Sequence, residues 1–453
     1  MYHTKTDSII HIDPQEPDSL TCKLTKQLTI ISLIASLTCF NMGYNLAVSN
    51  LMATYISDCN TQSSVTCIEL NEFEWSLIIG IIAIGALIGS LLSGYSIHRL
   101  GYKKSFFIPP IIYIIGGILL ASAYGFLQLL IGRILIGIAI GFSTVILPTY
   151  LGDIATIQLH GAISSLTCVA ISLGYFISMI LGIMVEKGIN WRIYLAFIAV
   201  IGFVQLILTV QIIESPKTLV LKKELSLAET NLKLLRKGYN IENEMKNILL
   251  ELNEEKNPTI SYKNIFKDKT IFHNCLLAIS LICFQEICGI SALLFYSLSI
   301  LQQNLSPTDA YSAIIGVAAI TLLASLVTTF IVDKFHRKTL LLLGAIIQTL
   351  AWLIVLIAAY FKNGIVQIVA ILIFIVFYNF GLLSLSYIML PELVPKVYLD
   401  FISGIALCLN WIISFLVTLI FPLLLSYAGW LAFLGFVITN ALFLLTVLFY
   451  VPK

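Results

Sequence analysis

IFHNCLLAISLICFQEICGISALLFYSLSI, residues 271–300, is the stretch that decides how this chain folds. It holds one carboxylate, Glu286, and one imidazole, His273, in an otherwise oily run. About 20 apolar residues already suffice to cross some 30 Å of hydrocarbon. Lipid admits only helices and closed barrels as spanning structures, and a run this long without alternation is a helix. The difficulty is the polar pair Gln285–Glu286 at its middle. A carboxylate there costs about 2.5–3.5 kcal/mol even on the lenient insertion scale, so the pair must face protein or water rather than acyl chains.

The same pattern recurs along the chain. Of 453 residues, 59% are hydrophobic and 11% charged; soluble domains carry about 25% charged residues, which excludes a water-soluble enzyme. Twelve apolar runs lie near 28–56, 75–97, 105–123, 126–148, 161–185, 192–213, 271–300, 311–332, 339–360, 365–390, 401–425 and 428–450. The expected class is an all-α membrane protein with twelve transmembrane helices. Basic residues fall mostly on one side: Lys23 and Lys26, Arg99 to Lys104, the connection after the sixth run, Lys334 to Lys338, and Lys453. The opposite side has only Lys187, Arg192 and Lys362. The positive-inside rule therefore makes both termini and the central connection cytoplasmic. The first 27 residues are polar and the first apolar run is too long for a signal peptide. Cys59 and Cys67 share an outward loop, as a disulfide or as two free thiols. The six cysteines within apolar runs read as small hydrophobes, and no Cys/His spacing suggests a metal site.

The runs divide six and six. A cytoplasmic tail at 1–27 precedes a first bundle at 28–213. A polar connection at 214–270 leads to a second bundle at 271–450, and a short cytoplasmic end at 451–453 follows. Within the connection, SLAETNLKLLRKG has helical spacing with Leu227, Asn231, Leu234 and Leu235 along one side, as in an amphipathic helix. The bundles echo one another: HRLGYKK (98–104) and DKFHRK (333–338) are offset by 235 residues, and Pro216 and Pro452 by 236. Asp153 after YLG and Glu392 after LP are offset by 239. Such parallel repeats hold substrate at the midplane between the halves.

With these residues assembled, the chain resembles a sugar porter of the major facilitator superfamily, from Gly43 to Lys453. The resemblance rests on FNMGYNLAVSN (40–50), GRILIGIAIGFSTVILPTYLGDIA (132–155), IESPK (213–217), FQEICGISALLFYS (284–297) and LNWIISF (409–415), in that order. It implies a central, water-accessible cavity in which Gln285 and Glu286, at the family's paired-glutamine positions, meet sugar hydroxyls. Ser291, Thr321, Asn379, Asn410 and Trp411 stand at further sugar-facing positions, with Trp411 offering a flat face to a pyranose ring. Interhelical hydrogen bonding is the competing role for Asn379 and Asn410. On a straight helix Gln285, Glu286 and Ser291 point to roughly 0°, 100° and 240°, too spread for one stripe. Either the helix breaks near Gly289 or Ser291 stands away from the cavity. There are departures too: Cys168 takes the place of a helix-five glutamine, Ser384 and Ser386 of helix-ten prolines, and Tyr387 of a Trp.

Function follows from the resemblance in the same conditional sense. Proton-driven members carry an aspartate in helix one facing the helix-four arginine. Here Asn45 stands there while Arg133 is kept, which favours passive uniport. Glu286, an intramembrane acid, is the argument for proton coupling. A second constellation, at the cytoplasmic mouth, sets Arg99 and Lys103 beside Asp153 and Glu214, and Arg337 beside Asp333 and Glu392, as ion pairs that bias one state. The expectation is a facilitative hexose carrier of a surface membrane, with a small sugar and the bilayer as partners, no cofactor and no nucleic acid. A proton-linked symporter and a non-transporting sensor are the rivals. Nucleophile, base and orienting group do not appear together, so an enzyme is not expected.

Overall fold

The computed structural model describes residues 24–56, 67–156, 158–186, 190–254, 265, 268–331 and 336–451. The apolar runs become helices whose ends are fixed by local chemistry. The first half comprises α1 (Lys26–Ile56), α2 (Glu72–Leu100), α3 (Ile108–Ala121), α4 (Phe126–Ile154), α5 (Leu166–Glu186) and α6 (Trp191–Thr209). Asn71 caps α2 through the Glu74 N–H while the Glu74 carboxylate accepts from the Asn71 N–H, so two otherwise unpaired donors are satisfied. The second half comprises α7 in two pieces, α7a (Lys269–Ile287) and α7b (Ile290–Gln302), then α8 (Pro307–Ile331) and α9 (Arg337–Tyr360). The tenth helix runs through α10a (Gly364–Tyr378), a π-helical turn at Asn379–Leu383 and α10b (Ser384–Leu393).

The last apolar stretch, Val397–Tyr450, covers 54 residues. As one straight helix it would be about 80 Å long, far more than a bilayer. Gly429, at φ +57°, divides it into α11 (Lys396–Ala428) and α12 (Ala432–Tyr450). Among the described residues twelve spanning helices thus stand in two groups of six, as the sequence implies.

Within the first half, α1 lies on α5 and α2 on α4. These seams are backbone against backbone. A Cβ on Gly43 would lie 1.9 Å from the Ile171 carbonyl oxygen, and one on Gly174 2.0 Å from that of Phe40. In membranes, where lipid is as apolar as leucine, such close approach is what holds helices together. The halves meet along α2–α11, α5–α8 and α1–α7b. There side chains intervene: a Cβ on Gly80 would first meet Thr418 Oγ1 at 3.1 Å. At the end remote from the chain termini, Asn50 of α1 donates to Ser297 Oγ and to the Leu294 carbonyl, and its Oδ1 accepts from the Leu298 N–H. Tyr175 of α5 donates to the same Leu294 carbonyl, at 3.4 Å.

Three short helices, Pro216–Leu221, Leu225–Leu235 and Glu242–Glu254, form a small cluster beneath the first half. The buried face of the middle one is Ala228, Leu232 and Leu235. Leu227 and Leu234, expected on the buried side, are exposed, and Asn231 donates to the Glu214 carbonyl. Flanking helices cover the Ala228–Leu232 face, and the sequence pattern alone fits either choice of face. Arg236 is 1% exposed and grips Glu244 with two hydrogen bonds of 3.0 and 2.6 Å. Cys67 is disulfide-bonded; Cys59 lies outside the described residues.

Candidate functional site: a polar seam between α7, α10 and α11

The break in α7 organises the site. Gly289 adopts φ +101°, and a Cβ there would lie 2.6 Å from Trp352 Cζ2 and 2.9 Å from Phe436 Cγ. Only glycine satisfies both the left-handed backbone and the aromatic wall. The break returns the chain so that the Ser291 hydroxyl donates to Glu286 Oε2 and lies 3.1 Å from Ser414 Oγ of α11. Of the two alternatives left open by the helical-wheel angles, the broken helix is the one realised, and Ser291 joins Glu286 because of it.

Gln285 turns into its own half. It is 3% exposed, and its amide nitrogen donates to the Leu382 and Leu383 carbonyls at 3.3 and 3.2 Å. Those carbonyls belong to the π-helical turn, where the regular ladder is interrupted and a side chain can enter. Asn410 donates to the Ile282 carbonyl at 2.9 Å, and Ser386 to Leu281 and Leu382. Asn379 donates to Ile375 within its own helix, and Thr321 to Val317. Gln285, Asn410 and Ser386 thus tie neighbouring helices together, the role weighed for Asn410 in the sequence, whereas Asn379 and Thr321 bond only within their own helices. Trp411 is 9% exposed and its indole N–H has no partner.

Glu286 is half-buried and lies within electrostatic reach of Tyr378 and Tyr387 of the tenth helix. Cys168 of α5 lies within electrostatic range of the same two tyrosines, across the boundary between the halves. Tyr387, beside these groups, exposes 47% of its surface. The groups around Glu286 thus come from both halves. Ser414, Tyr378 and the Asn50–Ser297 contact were not picked out in the sequence. Ser414 follows Asn410 by one helical turn, a spacing that points at it once Asn410 is chosen.

The charged constellation is realised only in part. Arg337 reaches Glu392 at 3.6 Å between exposed side chains. Glu214, expected to pair with Arg99 or Lys103, instead accepts from the Tyr102 and Lys103 backbone N–H groups, at 2.6 and 3.3 Å. It sits at the N-terminus of the short helix Tyr102–Ser105, whose free N–H groups attract an anion. Arg99 lies over the Tyr95 ring, 5.0 Å from its centroid. Asp153 accepts from Ser215 Oγ at 3.0 Å. Asp333 lies outside the described residues. Arg133 is 2% exposed, far from this mouth; it forms no ion pair among the described residues, and its Nη1 is unpartnered. Asn45 donates to both oxygens of Asn41, leaving its own Oδ1 unpartnered.

Residues 31–453 match the family model described as sugar (and other) transporter. The chain belongs to that family. It is 28% identical over 455 residues to the rat protein "Solute carrier family 2, facilitated glucose transporter member 3", covering 96% of this chain and 91% of that one. The partially occluded, inward-open xylose transporter XylE from E. coli superposes with a TM-score of 0.78 at 20% identity, covering 94% of this chain and 100% of the other. XylE described as a major facilitator superfamily proton:xylose symporter bound to a bromodeoxyglucose gives the same score at 21% identity, covering 95% and 97%. The sugar porter resemblance and the twelve-helix architecture stand. This family and fold are those of transporters.

Proposed function

We propose that this sugar porter is a facilitative hexose carrier that works by alternating access between its halves. The observation that carries the passive reading lies in the first half: Arg133 is buried with an unpartnered nitrogen, and the position the family's proton-driven members give to an aspartate holds Asn45. An amide does not take up and release a proton at physiological pH. Sugar is held between α7, α10 and α11 on one side and α5 on the other, with Glu286, Ser291 and Ser414 as hydrogen-bonding groups and Trp411 and Tyr387 as flat or polar walls. Gln285, Asn379, Asn410 and Thr321 shape that wall and exchange their present bonds for sugar hydroxyls as the halves rock. The distribution of lysines puts the termini in the cytoplasm, and a surface membrane is the natural location for such a carrier. In this reading the Asn50 contacts close the outward side.

Glu286 supports a second reading, proton symport, because intramembrane acids are the usual carriers of a coupled proton. Purified protein in liposomes separates the readings. Passive carriage gives labelled glucose that equilibrates and is indifferent to an imposed pH gradient. Accumulation abolished by a protonophore replaces it with symport, and binding without flux replaces it with a sensor.

A further inference from the structure

Glu286 carries a feature that hexose carriage leaves unused. A neutral sugar is served equally well by an amide, which offers two donors and an acceptor; a carboxylate only accepts and brings a full charge. Ser291 donates to Glu286, and Ser414 stands next in the chain of hydroxyls. Hydroxyls satisfy lone pairs and supply no countercharge. The other groups within electrostatic range of the carboxylate are Cys288 of α7 and Tyr378 and Tyr387 of the tenth helix, with Cys168 of α5 near those tyrosines, and none is a cation. Among the described residues no lysine, arginine or histidine pairs with Glu286, and no group of side chains that could hold a metal ion surrounds it. The buried cation of the first half, Arg133, lies beside Tyr194 and Tyr296, ten positions further along α7 than Glu286.

We infer that the cargo supplies the missing charge: the site takes a hexose bearing a protonated amine, with the ammonium on Glu286 and the ring hydroxyls on the neighbouring groups. This rests on the carrier reading above and narrows its substrate. A charged N–H···carboxylate bond is about twice as strong as a neutral one, and an ammonium offers three donors where a hydroxyl offers one.

The test is competition against labelled glucose in proteoliposomes at about pH 6.5, below the usual range of an aliphatic α-amine. The competitors are 2-amino-, 3-amino- and 6-aminoglucose, unlabelled glucose and neutral 2-deoxyglucose. At least one amino sugar should compete about tenfold better than glucose, with 2-deoxyglucose no better than glucose. In Glu286→Gln the advantage, read as the ratio of amino-sugar to glucose inhibition on whatever uptake remains, should vanish. Amino sugars that compete no better than glucose in the wild type, or an advantage that survives in Glu286→Gln, overturns the inference. If the variant does not fold, the wild-type series alone decides. Wild-type vesicles that pass no hexose of any kind refute the carrier reading itself, a distinct outcome.

Discussion

Replacing Gly289 with alanine tests the geometry on which the site depends. Holding an L-residue in the left-handed region costs about 1–2 kcal/mol. The new Cβ, 2.6 Å from Trp352 Cζ2 and 2.9 Å from Phe436 Cγ, must displace aromatic rings already packed against Phe374, Phe433 and Phe421. Overpacking of this kind costs about 1–3 kcal/mol. Together the loss is about 2–5 kcal/mol, less a few tenths regained because alanine restricts the unfolded chain. At about 2–4 °C per kcal/mol for a domain the size of one half, the melting temperature in detergent should fall by roughly 5–15 °C. Glucose exchange should fall with it, because Ser291 swings away from Glu286. Gly316 of α8 is the control: no atom lies within 4 Å of its added Cβ and its backbone is ordinary helix. Gly316→Ala should be neutral or stabilising by about 0.5–1 kcal/mol. If Gly289→Ala melts with the wild type, or if Gly316→Ala falls as far, the break is not what fixes the site.

Three further outcomes follow. Asn50→Ala removes three hydrogen bonds from the contact between α1 and α7b, those with Ser297 Oγ, the Leu294 carbonyl and the Leu298 N–H, a loss of about 1–3 kcal/mol. Cysteines placed at that end of the two helices should become more accessible to a polar maleimide, and an unchanged labelling rate would contradict the seal. Glu244→Ala leaves Arg236 buried without its partner at about 3–5 kcal/mol, so hydrogen exchange over 225–254 should rise sharply. In Arg236→Met/Glu244→Leu the exchange should return near the wild-type level; failure to return would show that the pair does more than balance charge. Glu392→Gln breaks a pair exposed by 31% and 50%, within the range of about 0–1 kcal/mol for surface ion pairs. It should change uptake by no more than a few-fold, and abolished transport would mean a larger role for that carboxylate.

The architecture was legible because span length and lipid chemistry leave few choices. Gln285 and Glu286 stood out for the same reason, as polar groups where lipid forbids them. What sequence period cannot convey is a change of helical phase. Ser291 looked out of register with Glu286 until the break at Gly289 brought it back, and the π turn at Asn379–Leu383 shifts Asn379 relative to Ser386 in the same manner. The ionic constellation was harder for another reason. Glu214 chose backbone N–H groups and Lys338 the Val451 carbonyl, at 2.6 Å, because flexible side chains settle wherever unpaired main-chain groups lie within reach. Asn50 and Ser297 join only through the mutual placement of the halves, which neither local stretch encodes.

The glycine-lined seams make a plate of α1 and α5. At Gly43 and Gly174 no side chain stands between them, so there is no rotamer to flip there and a push at either rim travels along both helices together. Slip belongs to the seams where Thr418, Ser297 and Tyr175 stand between backbones and can trade one neighbour for another. A compound that jams this machine without touching its cargo would therefore act as a wedge in one of those side-chain seams, and the glycine plates would offer it no foothold.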